Sequence, residues 1–81
     1  MTLSSLVKRS FSLAGHRTSV ALEPMFWDAL REIAQSRDVS LAGLVASADT
    51  ARAAGTPLAS ALRVLALEDA IGRAPEAGAK G

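Results

Sequence analysis

The sequence HRTSVALEPMFWDALREIA, residues His16–Ala34, joins the pattern of a strand to the pattern of a helix without room for a loop. Its first seven residues alternate with a period of two, which predicts a strand with one apolar face over His16–Leu22. Pro24 follows, and its fixed φ and missing N–H suit the first turn of a helix. Apolar residues then recur at helical spacing, which predicts an amphipathic helix over about 24 to 36.

A strand this short needs a partner, because its backbone N–H and C=O groups must be paired. A second alternation runs over Lys8–Leu13, with Phe11 and Leu13 on one side and serines on the other, and Ala14-Gly15 links it to the first strand. Two alternating runs with a short glycine-containing link are typical of a hairpin. An irregular basic arm is the alternative, and the sequence weighs the two about evenly.

Two more helices are predicted after the first. Ser40 is a good N-cap for the second, which continues to about Ala54, and Gly55 is suited to the C′ position. Thr56-Pro57 then provides an N-cap and an N1 residue for the third, whose apolar stripe is wide enough to be buried on more than one side. The predicted organisation is a basic N-terminal arm or extra strand over 1–15, a core over 16–54, a third helix over 55–73 and a disordered tail over 74–81.

The length and composition limit what the chain can build. Eighty-one residues make one domain at most, and a chain of this size buries a limited fraction of its surface. There is no cysteine and only one histidine, so neither a disulfide nor a metal site is expected. Phe26, Trp27, Leu44 and Val45 are too large a set to be covered within one such chain, which predicts an obligate homodimer.

The charge is distributed unevenly along the chain. Residues 1–22 carry three basic and no acidic side chains, whereas the remainder carries six basic and eight acidic ones. A net +3 at the strand-forming end favours an anionic partner there. No apolar run approaches the length of a membrane span, and a cytoplasmic protein is expected.

The sequence contains no constellation typical of an enzyme. There is no phosphate-binding glycine loop, and the lone histidine, His16, begins a strand. Asp28 and Glu32 are four residues apart, but on a face expected to be solvated. A domain this small has no room for a deep pocket in which a serine, a histidine and an acid could converge. We therefore predict a non-enzymatic protein with no cofactor and no metal.

Strand, helix, turn and helix in this order resemble the ribbon-helix-helix DNA-binding proteins, the class of Arc and MetJ. Lys8-Arg9-Ser10, Gly15–Val20, Leu22-Glu23 and Phe26-Trp27 further resemble a family of short bacterial ribbon-helix-helix proteins. The resemblance implies a mainly α-helical dimer with a short β-ribbon, here extended by the N-terminal arm or strand and a third helix. In that fold one strand from each of two chains pairs into an antiparallel ribbon, which enters the major groove, while four helices form the dimer core.

The outward parity of the strand selects three candidate base-reading residues. Arg17 can grip a guanine through two hydrogen bonds, Ser19 is a tolerant reader, and Ala21 can touch a thymine methyl group. The candidate phosphate contacts are cationic side chains of the first strand and the free N–H groups at the start of the second helix, namely Lys8, Arg9, Ser40, Leu41 and Ala42. The expected dimer core consists of Val20, Leu22, Phe26, Trp27, Leu30, Ile33, Leu44 and Val45.

The leading interpretation is a homodimeric transcription regulator that binds double-stranded DNA. The alternative is a dimeric adaptor or antitoxin-like interaction module, with no specific DNA binding, that docks another protein through the third helix or the sheet. Two features depart from the simple pattern. Glu23 lies at the strand–helix corner, where a carboxylate near phosphates is unfavourable unless a cation pairs with it. A hairpin in each chain would also make the dimer's sheet four-stranded, which is too wide to enter the groove as a ribbon.

Overall fold

The computed structural model describes residues 5–73, in which two strands are followed by three helices. The elements are β1 (Val7–Leu13), β2 (His16–Leu22), α1 (Pro24–Ser36), α2 (Leu41–Ala51) and α3 (Leu58–Arg73). This confirms a mainly helical fold with a short β-ribbon and an added third helix. The tail predicted over 74–81, and the first four residues of the predicted arm, lie outside the described residues.

The two strands form an antiparallel hairpin, which decides between the arm and the extra strand. The register pairs Val7 with Leu22 at the open end and Leu13 with His16 beside the turn. Ala14 and Gly15 make the turn with φ of 51° and 83°, the double positive φ of a type I′ turn, whose twist matches that of the strands. The partner of β2 is therefore a strand of the same chain, where the resemblance implies a strand of a second chain.

α1 spans the residues that its apolar spacing predicts. Pro24 lies in the first turn, and the carbonyl of Glu23 accepts from the N–H of Phe26 at 2.9 Å. The helix ends where Arg37 and Asp38 form a turn, with Asp38 at a φ of 58°. The buried residues of α1 recur at helical spacing and face the hairpin and the other helices, and they are Trp27, Leu30, Ile33 and Ala34.

α2 begins as predicted but ends earlier. The Oγ of Ser40 accepts from the N–H of Gly43 at 2.9 Å, which is the expected N-cap. The helix ends at Ala51 instead of about Ala54, because Arg52 adopts an extended conformation. The Arg52 side chain holds this exit, since its Nε donates to Asp49 and its Nη1 donates to the carbonyl of Thr56 at 2.7 Å. Gly55, with a φ of 89°, therefore lies in the α2–α3 loop and not at the C′ position.

A single chain covers its own core, contrary to the argument that a second chain is needed to do so. Trp27, Leu44 and Val45 are at most 2% exposed, and Phe26 is half-buried. The reason is that β1 and α3, which the ribbon-helix-helix pattern lacks, supply the missing apolar surface. The core consists of Phe11, Leu13, Val20, Leu22, Trp27, Leu30, Ile33, Ala34, Leu44, Val45, Leu62 and Ala66.

Candidate nucleic-acid interface

The face of the hairpin that points away from the helices is polar and basic. The register places Lys8 opposite Ala21, Ser10 opposite Ser19, and Ser12 opposite Arg17 on this outward face. All six side chains are exposed except that of Ala21, which is half-buried. The hydroxyl oxygens of Ser10 and Ser19 lie 3.1 Å apart and link the two strands. We call these six residues the outward face.

The chemistry of the outward face suits the floor of a DNA groove. It carries two cations, three hydroxyl groups and one methyl group, and it has no carboxylate. Neither Lys8 nor Arg17 forms an ion pair with any described residue. Alternate residues of a strand are about 6.6 Å apart, close to the rise of about 6.8 Å over two base-pair steps. Successive outward side chains of one strand can therefore meet every second base pair.

The structure brings the three predicted base-reading residues together with Lys8 on this face, whereas Arg9 lies elsewhere. Arg9 has the opposite parity, and its guanidinium carbon is 5.5 Å from the ring centre of Trp27. The same tryptophan donates from Nε1 to the carbonyl of Val7 at 2.8 Å and so attaches β1 to α1. A phosphate contact by Arg9 would come from the side of the hairpin that faces the helices.

The start of α2 also lies apart from the outward face. α2 contacts β1, and the helices cover the apolar face of the hairpin. The Oγ of Ser40 already accepts from an amide of its own helix, while Leu41 is half-buried and Ala42 is exposed. Phosphate contacts by these three residues stay a prediction, and they would have to come from a strand of DNA that passes beside the hairpin.

Two residues of the outward face were missed in the sequence. Ser10 and Ser12 belong to it because β1 pairs with β2, and each lies directly opposite a predicted base-reading residue. The signal was present in the alternation over Lys8–Leu13, but it has the same form in an unpaired arm. The pairing of the strands is what turns that alternation into a shared surface.

A charged corner borders the outward face where β2 meets α1. Both Nε and Nη2 of Arg63 lie 3.0 Å from Oε1 of Glu23, and the guanidinium stacks 5.7 Å from the ring centre of Phe26. A hydrogen bond from its own backbone amide, followed by the one from Arg63, lowers the pKa of the Glu23 carboxyl. The cation that this carboxylate needs near phosphates is thus supplied by α3.

The free edge of β2 limits how two chains can combine. Strands lie about 4.8 Å apart, so four of them span about 14 Å between their outer backbones, whereas the major groove is about 12 Å wide. A second chain added along β2 would make such a sheet and prevent its entry. The hairpin of a single chain has the width of a two-stranded ribbon. Each chain therefore already carries a complete ribbon.

No other site chemistry is evident in the part of the chain that the structure describes. Over residues 5–73, no group of three or more histidine, aspartate or glutamate side chains is placed to hold a metal ion. No helix within that range has the length and apolarity that crossing a bilayer requires.

Comparison with known proteins supports the fold. Residues 6–70 match the sequence model of a family described as ribbon-helix-helix domain. Among solved structures, the chain is similar to an uncharacterized protein from Bordetella pertussis Tohama I, with a TM-score of 0.69 and 35% sequence identity. The similarity covers 90% of this chain and 65% of that one, so this chain spans less than two thirds of its relative. No curated protein matches.

Proposed function

This chain belongs to the ribbon-helix-helix family, and we propose that it is a homodimeric DNA-binding transcription regulator whose hairpin enters the major groove. The observation that carries the proposal is the outward face itself, which is basic, hydroxyl-rich and free of carboxylates. Its two-stranded width fits the groove, which admits a β-ribbon. Base-edge contacts then give specificity, while contacts to phosphates set the register of the protein on the duplex.

In this arrangement Arg17 is the principal base reader. It is exposed, it has no acidic partner among the described residues, and an arginine can donate two hydrogen bonds to guanine. Ser19 and Ala21 follow at two-residue spacing on the same strand. Ser12 and Ser10, opposite Arg17 and Ser19, extend the reading surface across the ribbon. Lys8, at the open end of the hairpin, is suited to a phosphate.

The test is to place an acid on the outward face and to compare it with an equal acid elsewhere. Ser19→Glu adds a carboxylate to the centre of the face, whereas Gln35→Glu adds one to the exposed last turn of α1. Binding to mixed-sequence duplexes would be followed by fluorescence anisotropy at low salt, with circular dichroism as a check of folding.

We expect Ser19→Glu to weaken binding about tenfold or more, since one lost phosphate or base contact is worth about 1–3 kcal/mol. Gln35→Glu should stay within about twofold of the parent, because it changes only the overall charge. Equal losses in the two variants would contradict a hairpin interface.

A further inference from the structure

α3 has apolar side chains on two faces, and only one of them is used within the chain. Leu62 and Ala66 belong to the core. Val64, Leu67 and Ile71, in contrast, are 51%, 58% and 66% exposed. A helix that is apolar on more than one side is normally buried on more than one side. The face formed by Val64, Leu67 and Ile71 is hereafter the α3 seam.

The spacing of the α3 seam is that of a coiled coil. Its residues are separated by three and then four positions, which corresponds to a, d and a of a heptad. Such a seam is completed by a second helix with the same spacing. We propose that α3 is a self-association helix, which packs in parallel against α3 of a second copy of this chain.

Charges beside the seam favour the parallel arrangement. Arg63 and Glu68 occupy the flanking g and e positions, five residues apart, so a parallel pair brings Arg63 of one copy next to Glu68 of the other. Glu23 takes only Nε and Nη2 of Arg63, and a guanidinium has further N–H donors for a second carboxylate. An antiparallel pair would instead place like charges opposite each other, which is unfavourable.

The surface next to the seam has room for a second helix. Val64 also lines a groove between α2 and α3, where Ala48, Ala51 and Ala61 keep the walls low. Small side chains allow the backbone of a neighbouring helix to approach closely. A two-fold pair across the seam would use the same patch on both copies, as isologous dimers do.

The α3 seam leaves the hairpins free. None of its residues belongs to β1 or β2, so the pair would hold two complete ribbons rather than one shared sheet. This part of the inference rests on the proposed function, because only a DNA-reading hairpin must keep its edges open. The pairing of the helices itself rests on the spacing and the charges of α3.

A cysteine cross-link tests the geometry directly, since the chain has no cysteine of its own. In a parallel pair the two d positions face each other, so Leu67→Cys should form a covalent dimer under mild oxidation at micromolar concentration. Ala42→Cys, at the exposed start of α2, is the control for random collision. Cross-linking of Leu67→Cys no faster than that of the control would overturn the proposal.

Sedimentation equilibrium supplies the second measurement. Leu67→Glu places two carboxylates opposite each other in the pair, and it should raise the dimer dissociation constant about tenfold or more. Because Leu67 is exposed in the single chain, the thermal unfolding of the monomer should hardly change. A parent protein that stays monomeric up to about 100 µM, well above usual working concentrations, would contradict the self-association of α3.

The failure of this inference can be told apart from that of DNA binding. If the parent dimerises through α3 but binds no duplex, the seam stands and the function falls. If Leu67→Glu abolishes any dimer while one duplex site is still bound through the outward face, both stand. If the parent binds DNA as a dimer that Leu67→Glu does not weaken, the dimer interface lies elsewhere and the seam proposal is wrong.

Discussion

Arg63 on α3 grips the carboxylate of Glu23, forty residues earlier in the chain, with two nitrogens at 3.0 Å from one oxygen. The pair connects the added third helix to the corner where the ribbon becomes a helix. It also neutralises an acid at the border of a surface proposed to meet phosphates. α3 therefore contributes to the electrostatics of the hairpin as well as to the core beneath it.

The pH dependence of this pair gives the first prediction. The pKa of the Glu23 carboxyl is lower in the folded chain than its ordinary value of 4.5, so the folded state binds its proton less readily than the unfolded state. The stabilisation is therefore complete above that ordinary value and is lost as the pH falls through the lowered pKa. The parent should melt at a higher temperature than Glu23→Gln at pH 7, and the difference should shrink below pH 4.5.

The measurement is a series of thermal melts of both proteins between neutral and strongly acidic pH. Since both partners are about one-third exposed, the difference at pH 7 should be modest. A gap between the two melting temperatures that does not depend on pH would show that the substitution acts through packing and not through the carboxylate.

The core gives the second prediction. Leu30 is fully buried between the hairpin and the other helices. Leu30→Ala should lower the free energy of unfolding by about 2–5 kcal/mol through lost burial and the cavity left behind. Met25→Ala, on the same helix but 70% exposed, is the matched control and should change little. Urea titrations would measure both, and similar midpoints for the two variants would mean that the phase of α1 is wrong.

The hairpin turn gives the third prediction. Ala14 holds a φ of 51°, which a residue with a Cβ adopts at a cost, whereas asparagine tolerates it and Asn-Gly is a preferred type I′ pair. Ala14→Asn should therefore raise the free energy of unfolding by about 0.5–1 kcal/mol. Gly15→Ala, at a φ of 83°, should lower it by about 1 kcal/mol. Changes of the same sign in the two variants would argue against this turn.

The same turn explains why sequence patterns left β1 open. Ala14 is not a residue that type I′ turns prefer, so the link between the alternating runs carried a weak hairpin signal. The pairing is fixed by contacts that the local sequence does not display. Phe11 packs against Trp27 with ring centres 5.9 Å apart, and the indole N–H bonds to the carbonyl of Val7. β2 and α1, by contrast, follow from local periodicity and from Pro24.

The site divides in the same manner. The outward parity of Arg17, Ser19 and Ala21 follows from a period of two and was predictable. The position of Arg9 was not, because a long side chain on the apolar face can lay its stem along the surface and stack its guanidinium on an aromatic ring. The partner of Glu23 depends on how α3 returns to the corner, which no short-range pattern encodes.

The most direct test of DNA reading is a titration of a randomised duplex library by the parent, Arg17→Ala and Lys8→Ala at two salt concentrations. Arg17→Ala should lose about 1–3 kcal/mol per contact and relax the base preference at one position of each site. Lys8→Ala should weaken binding to all sequences alike and flatten the salt dependence. Equal and sequence-independent losses in both variants, or no binding by the parent even at low salt, would contradict the account.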